Sequence, residues 1–325
     1  MEFEHFAKEV RETVKNYLPE ECADAAVEVR CVKKLNTDCH GLFIRTKGCP
    51  SVLVIDLDQM YHLYRESGFN MKPVMEAITK IAYSAILFMT EANYEHVKSK
   101  LFIRVFDREK NQLYLSGVPY TCVENLAITY QVCISMDQKG VMSKVLTNRD
   151  LEFFKISKER LHRDAMENSP KLFPVKIATI SDSMETLMRE QLEEAGLEKE
   201  EIDRVVQEMK AEQEMQAPLT VVSNQTMANG AAAFFYPGVM EQIGKFVGGD
   251  YYVLPSSVHD VIILPDNRQI DALELSLMVS DINRNEVEPE DRLTDEVYHY
   301  CVKQKVFETA TKWEIRRNGQ FSRMN

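Results

Sequence analysis

Apolar positions recur along this chain with two different periods. Over Glu2–Leu18, Phe3, Phe6, Val10, Val14 and Leu18 are spaced by three and four, which predicts a helix stopped by Pro19. Ala26–Lys33, Gly41–Thr46 and Ser51–Leu57 read as strands separated by the turn-rich "NTDCHG" and "KGCP". Helical spacing returns over Asp58–Glu66 and Pro73–Met89. Lys100–Asp107 and Gln112–Leu115 read as a hairpin around "REKN", and Glu124–Met136 with Gly140–Leu146 as a second around "DQK". Arg149–Phe154 follows, and Ser157 caps a helix through Asn168.

The second half opens with a different texture. Ser181–Gln216 keeps Met184, Leu187, Met188, Leu192, Leu197, Ile202, Val205, Val206 and Met209 at helical spacing, broken at Gly196. Leu219–Ser223 reads as a strand. Met227–Val247 reads as a helix entered at Asn229–Gly230, kinked at Pro237 and stopped at Gly248–Gly249. Tyr251–Leu254 and Val261–Leu264 form a hairpin around "PSSVHD". Asp271–Asn283 is a further helix with Leu273, Leu277, Met278 and Ile282 on one face. Tyr298–Phe307 reads as one strand, and the tail "KWEIRRNGQFSRMN" as a fraying end. Strands and helices arrive in clusters, not in strict alternation. That predicts an α+β protein: two packed mixed α/β units with mainly antiparallel sheets, at 1–175 and 218–325, joined by a helical insert at 176–217.

Charge sharpens the picture. The 325 residues carry a net charge of -12. Residues 181–216 alone hold twelve acidic and four basic side chains, so this insert supplies most of the excess. It is either a solvated acidic face or a docking surface for a basic protein partner. A broad nucleic-acid surface is disfavoured, because that affinity comes from neutralising phosphates with Lys and Arg. No apolar run is long enough to span a bilayer, and the start of the chain is acidic and amphipathic, unlike a signal peptide. Seven irregularly spaced cysteines then suggest reduced thiols and a cytoplasmic protein.

Candidate chemistry is sparse. There is no phosphate-loop motif, and Val247–Tyr252 ("VGGDYY") follows a helix and lacks the lysine. Cys31, Cys39, His40 and Cys49 lie within a short span, but neighbouring Cys39 and His40 are awkward tetrahedral ligands, so neither metal nor cofactor is expected. Ser256, Ser257, His259 and Asp260 sit side by side. Residues so close on an extended turn cannot fold into a triad, since the histidine must lie between serine and acid. Pro255 ends a strand and the serine hydroxyls suit a corner. The expected role is binding or regulation through protein–protein contacts, with Asn224, Ser256, Ser257, His259 and Asp260 bordering the site. The alternative is a hydrolase using Ser257 or Cys122 with His259, or Cys122 with His162.

"LTVVSNQTMANGAAAFFYPG", "YYVLPSSVHDVIILP" and "LSLMVSDINRNEVEPEDRLTDEVYHY" resemble the C-terminal half of a bacterial family of unknown function common in gut clostridia (Firmicutes). "LDQMYHLYRESG", "VPYTCVENLAITYQV" and "FKISKERLHRDAMENSPKLFP" extend the resemblance over most of the chain. Where those relatives tend to carry "HEV", this chain has His259-Asp260-Val261, and "ENLAITY" stands in place of "DLAIVY". The resemblance implies an intracellular bacterial protein, from an accessory or mobile genetic region. It carries no assigned reaction, cofactor or catalytic residue.

Overall fold

A computed structural model describes the chain except residues 1, 23, 34–37, 46–51, 92, 138–139, 214–218, 256, 269–270 and 325. The turn expected at "KGCP", the tip of the "DQK" turn, Cys49 and Ser256 lie outside the described residues. The protein is α+β, with three mainly antiparallel sheets. It divides into two compact units. The first comprises Met1–Phe102, Lys110–Tyr120 and Tyr130–Asp164; the second comprises Ile103–Glu109, Thr121–Thr129 and Ala165–Asn325.

Helix α1 (Phe3–Thr13) passes into a short 3-10 turn and leads to the sheet β1 (Ala26–Lys33), β2 (Asp38–Arg45) and β3 (Leu53–Asp56). Cys39 and His40, expected in a turn, are the second and third residues of β2 and pair with Val32 and Cys31. Helices α2 (Leu57–Glu66) and α3 (Met71–Glu91) follow. Phe6 and Val10 of α1, Leu42 and Ile44 of β2, Tyr64 of α2 and Val74 and Ile78 of α3 meet in one core. The three-and-four spacing seen in the sequence is therefore the buried stripe of α1. Asp56 fixes the start of α2 by accepting from the N–H groups of Asp58 and Gln59.

The chain continues through α4 (Tyr94–Lys98), β4 (Leu101–Asp107), α5 (Gln112–Leu115), β5 (Tyr120–Val123), β6 (Leu126–Asp137) and β7 (Gly140–Val145). The strand order is β4-β6-β5, with β7 on β6. Gln112–Leu115, expected as a strand, is instead one helical turn: a segment of four residues does not fix its own period. Leu115 is buried and Leu113 is exposed. Helix α6 (Asn148–Phe154) begins with a capping box between Thr147 and Asp150. Helix α7 (Lys158–Leu172) then leads to an unforeseen strand, β8 (Val175–Thr179).

The second unit is built on six antiparallel strands in the order β13-β12-β10-β11-β9-β8. The members after β8 are β9 (Thr220–Asn224), β10 (Tyr251–Leu254), β11 (Val261–Pro265), β12 (Tyr298–Cys301) and β13 (Val306–Thr309). The acidic segment forms α8 (Ile180–Glu194) and α9 (Lys199–Gln213), and Arg189 of α8 pairs with both Glu185 and Asp203. Strands β8 and β9 pair from Val175–Asn224 to Thr179–Thr220, and Ile180 N–H reaches Leu219 O at 2.8 Å. The acidic hairpin is thus an excursion from the end of two paired strands.

Between β9 and β10 the expected single helix is two pieces. A 3-10 segment at Gly230–Phe235 and α10 (Val239–Val247) are separated by Pro237 and by Gly238 at φ 79°. A left-handed residue at that point breaks the helix instead of kinking it. Helices α11 (Ala272–Asn285) and α12 (Ala310–Met324) complete the unit.

Every residue of β10 is buried because both faces of the sheet are covered. Tyr252 and Leu254 pack with Leu275 and Val279 of α11 and Trp313 of α12. Tyr251 faces the other way and donates to Met240 O of α10 at 2.9 Å. Tyr298–Phe307 proves to be a hairpin, β12 and β13, with the turn at the polar residues between Cys301 and Val306. The tail does not fray after Thr309 but forms α12. Ala310 and Trp313 anchor it, and the Trp313 ring stacks at 3.8 Å on fully buried His299. His299 in turn lies 3.2 Å from the Asp266 carboxylate.

Candidate functional site

The polar corner between β10 and β11 is held by backbone from two other segments. Thr294 N–H donates to Pro255 O at 3.3 Å, Val258 N–H to Asp291 O at 2.8 Å, and Ala231 N–H to Val258 O at 3.2 Å. Ser257 forms an isolated bridge with Arg292. Its hydroxyl accepts from His259 N–H at 2.9 Å, the turn chemistry expected of a corner serine. Buried Ser223 donates its hydroxyl to His259 O at 2.7 Å.

The imidazole of His259 is engaged at both nitrogens. Nδ1 accepts from Asn229 N–H at 3.1 Å, and Nε2 lies 3.1 Å from Asp291 Oδ1. The donor at Asn229 fixes the neutral tautomer with hydrogen on Nε2, which then donates to Asp291. A general base needs an unengaged nitrogen facing its substrate. Here the ring's lone pair points at backbone, so the imidazole ties the Asn229 loop to the Asp291 loop.

Asn224, almost fully buried, closes the same loop: its Nδ2 donates to Ala228 O at 2.9 Å and its Oδ1 accepts from Thr226 Oγ1 at 2.8 Å. Met227 and Asn229 both sit at positive φ, 55° and 52°, in that loop. Burial pushes the Asp260 carboxyl above the usual carboxylate range, with nearby His259 opposing. The structure thus brings Asn224, Ser257 and His259 into one hydrogen-bonded corner with Ser223, Asn229 and Asp291. Asp291, the acid partner of His259, comes from 32 residues downstream. No local signal in "EPEDR" announces it.

The other candidates lie elsewhere. Exposed Cys122 on β5 is 3.8 Å from Arg108 Nη1. His162 on α7 has its Nδ1 2.9 Å from the Tyr130 hydroxyl, and burial, aided by Lys158, lowers its pKa. Among the described residues, the donors that converge closely enough for a metal ion are Cys39, Asp56 and Asp58, within 4.8 Å of one another. Asp56 already caps α2, and Asp58 accepts from the His40 backbone at 2.8 Å and lies 3.0 Å from its ring. Of the described residues weighed from the sequence, Cys31, Cys39 and His40, Cys39 belongs to this group; Cys31 is exposed on β1.

A feature absent from that residue list is the outer face of α11. Ala272, Leu275, Val279 and Asn283 face the sheet and are buried. Leu273, Leu277, Met278 and Ile282, expected on one face, spread over about half of the helix circumference, all of it on the solvent side: they are 70%, 64%, 49% and 39% exposed. Ile315 of α12 is also exposed, and its neighbour Glu314 accepts from Ala272 N–H at 2.9 Å.

These features define a class: an α+β protein whose six-stranded antiparallel sheet carries an acidic helical hairpin and an apolar outer helix. Residues 3–302 match the model of a family of unknown function, DUF5688, and the chain belongs to that family. No curated protein and no solved structure matches the chain. Among the described residues, no helix is long and apolar enough to cross a membrane.

Proposed function

We propose that this is a non-catalytic binding or regulatory protein of the cytoplasm that acts through protein–protein contacts. The exposed apolar face of α11 carries this reading. Single exposed apolar residues are ordinary, but four large ones on the solvent side of one helix form a surface of the kind that marks interaction sites. The corner supports it from the other side. Its serine and histidine are committed to holding backbone, which suits a rigid scaffold better than proton transfer. The charged α8–α9 hairpin is a second contact, for a basic partner, and Asp260 with the corner residues Asn224, Ser257 and His259 borders a third.

The test is capture of partners from the native host by three forms of the full chain: wild type, Leu277→Glu, and a form lacking residues 181–216. Strands β8 and β9 remain paired up to Thr179 and Thr220, so a short turn can replace the hairpin. Proteins held by wild type should be lost from Leu277→Glu, and any held through the hairpin lost from the deletion. Identical captures by all three forms would remove the proposal.

A further inference from the structure

Three unlike donors gather where β2 begins and β3 runs into α2. Strand β2 pairs with β3 so that Gly41 stands opposite Asp56. Residues two apart on a strand share a face, so Cys39 and Asp56 lie on the same side of the sheet. Asp58, in the first turn of α2, closes the group by accepting from the His40 N–H at 2.8 Å. The thiol of Cys39 and a carboxylate oxygen from each aspartate thereby come within 4.8 Å of one another. The three are unevenly buried: Cys39 is 5% exposed, whereas the Asp58 side chain is 40% exposed. The thiol is the floor of the group and Asp58 its solvent side.

Both carboxylates are held in place. Asp56 Oδ1 accepts from the N–H groups of Asp58 and Gln59. Asp58 is gripped by the His40 backbone and, at 3.0 Å, by its ring, which packs on Phe3 with centroids 4.5 Å apart. A carboxylate offers about four lone-pair sites, so these bonds orient the oxygens and leave room for a metal. A ligand carboxylate steadied by an outer hydrogen-bond partner is the usual build of a metal site.

We infer that Cys39, Asp56 and Asp58 bind one zinc ion. With Zn–S about 2.3 Å and Zn–O about 2.0 Å, ligand atoms of a tetrahedral site stand about 3.3–3.5 Å apart, so the donors close by at most about 1.5 Å. The thiolate chooses the ion. Magnesium and calcium take oxygen donors, whereas a mixed sulfur and oxygen set with tetrahedral reach suits zinc. Binding forms the Zn–S bond and releases the Cys39 thiol proton to solvent. The fourth position lies on the Asp58 side, where water reaches it. The ion pins the start of β2 to the β3–α2 junction, and His40 is a positioning residue that acts through Asp58. This site is independent of the α11 surface.

The test titrates the full chain, stripped by chelator, with cobalt(II) and then with zinc. Cobalt should bind at one equivalent, giving a near-ultraviolet thiolate charge-transfer band and visible bands of tetrahedral coordination, and zinc should displace it. Cys39→Ser should lose the charge-transfer band. Asp58→Asn should weaken zinc at least about tenfold, and His40→Ala about ten- to a hundredfold with the band kept. Cys31→Ser is the control: Cys31 pairs with His40, on the face opposite to Cys39, and should change nothing. Zinc should also raise the melting temperature of the wild type and leave that of Asp58→Asn unmoved. Circular dichroism checks each variant's fold; should Cys39→Ser not fold, Asp58→Asn and His40→Ala decide. No cobalt spectrum from the wild type, a charge-transfer band that survives in folded Cys39→Ser, loss of the band in Cys31→Ser, or equal zinc affinity in the wild type and Asp58→Asn would each overturn the inference.

Discussion

Gly230 is where a single added carbon tests the corner. A Cβ there would lie 2.1 Å from Ser223 Oγ, 2.6 Å from Asn224 N and 2.6 Å from His259 O. Ordinary contacts begin near 3.4 Å. The Ser223 hydroxyl can rotate away, at the loss of its hydrogen bond to His259 O, about 1 kcal/mol. The two backbone atoms cannot rotate. They must part by most of an ångström, and overpacking of that kind costs about 1–3 kcal/mol. Reduced freedom of the unfolded chain returns about 0.5 kcal/mol. Gly230→Ala should therefore destabilise the second unit by about 2–3 kcal/mol. Trp313 is the chain's single tryptophan, lies in that unit and is buried against His299, so its fluorescence reports the unit's unfolding in urea. The midpoint should fall with an unchanged slope. Gly249→Ala, with nothing within 4 Å of the added carbon, is the control and should change stability by less than about 0.5 kcal/mol. If Gly230→Ala behaves like Gly249→Ala, the corner is not packed as described.

Three further substitutions read other parts of the chain. Asp260→Asn should raise stability at pH 7. Burial holds this carboxyl above its unfolded value, so its charged form costs stability above both values, and the advantage of Asn should close as pH falls through the folded value; an advantage that grows on acidification would contradict this. Tyr94→Phe should cost about 1–2 kcal/mol, because buried Asp164 loses the hydroxyl that donates to it at 2.7 Å. A thermal melt followed by circular dichroism, unchanged on this substitution, would show that the bond contributes nothing. Lys155→Gly should stabilise by about 0.5–1 kcal/mol, since Lys155 ends α6 in the left-handed region at φ 54° and is exposed; a lower melting temperature would refute that.

Periodic, strongly patterned elements were legible in the sequence. The α1 stripe, the β10–β11 hairpin, the two acidic helices and the break at Gly196 all follow from local spacing and turn chemistry. So does the exclusion of a triad within "SSVHD", because neighbours on an extended chain point apart. Short or both-faces-buried elements were not legible. Gln112–Leu115 is too brief to declare a period, the polar Lys303–Lys305 that splits Tyr298–Phe307 carries no Gly, Pro or Asn to mark a turn, and β8 is five residues of unremarkable composition whose partner lies beyond an inserted hairpin. The candidate site divides in the same way. The sequence could place Ser257, His259 and Asp260 at a corner. Only the folded chain could bring Asp291 and the Asn229 N–H to the two ring nitrogens, because those contacts close over long loops. The face of α11 shows the division most sharply. Spacing alone put Leu273, Leu277, Met278 and Ile282 on one side of a helix. Which side meets the sheet was decided by packing, where Leu275 and Val279 dock against β10, and that left the richer apolar face to water.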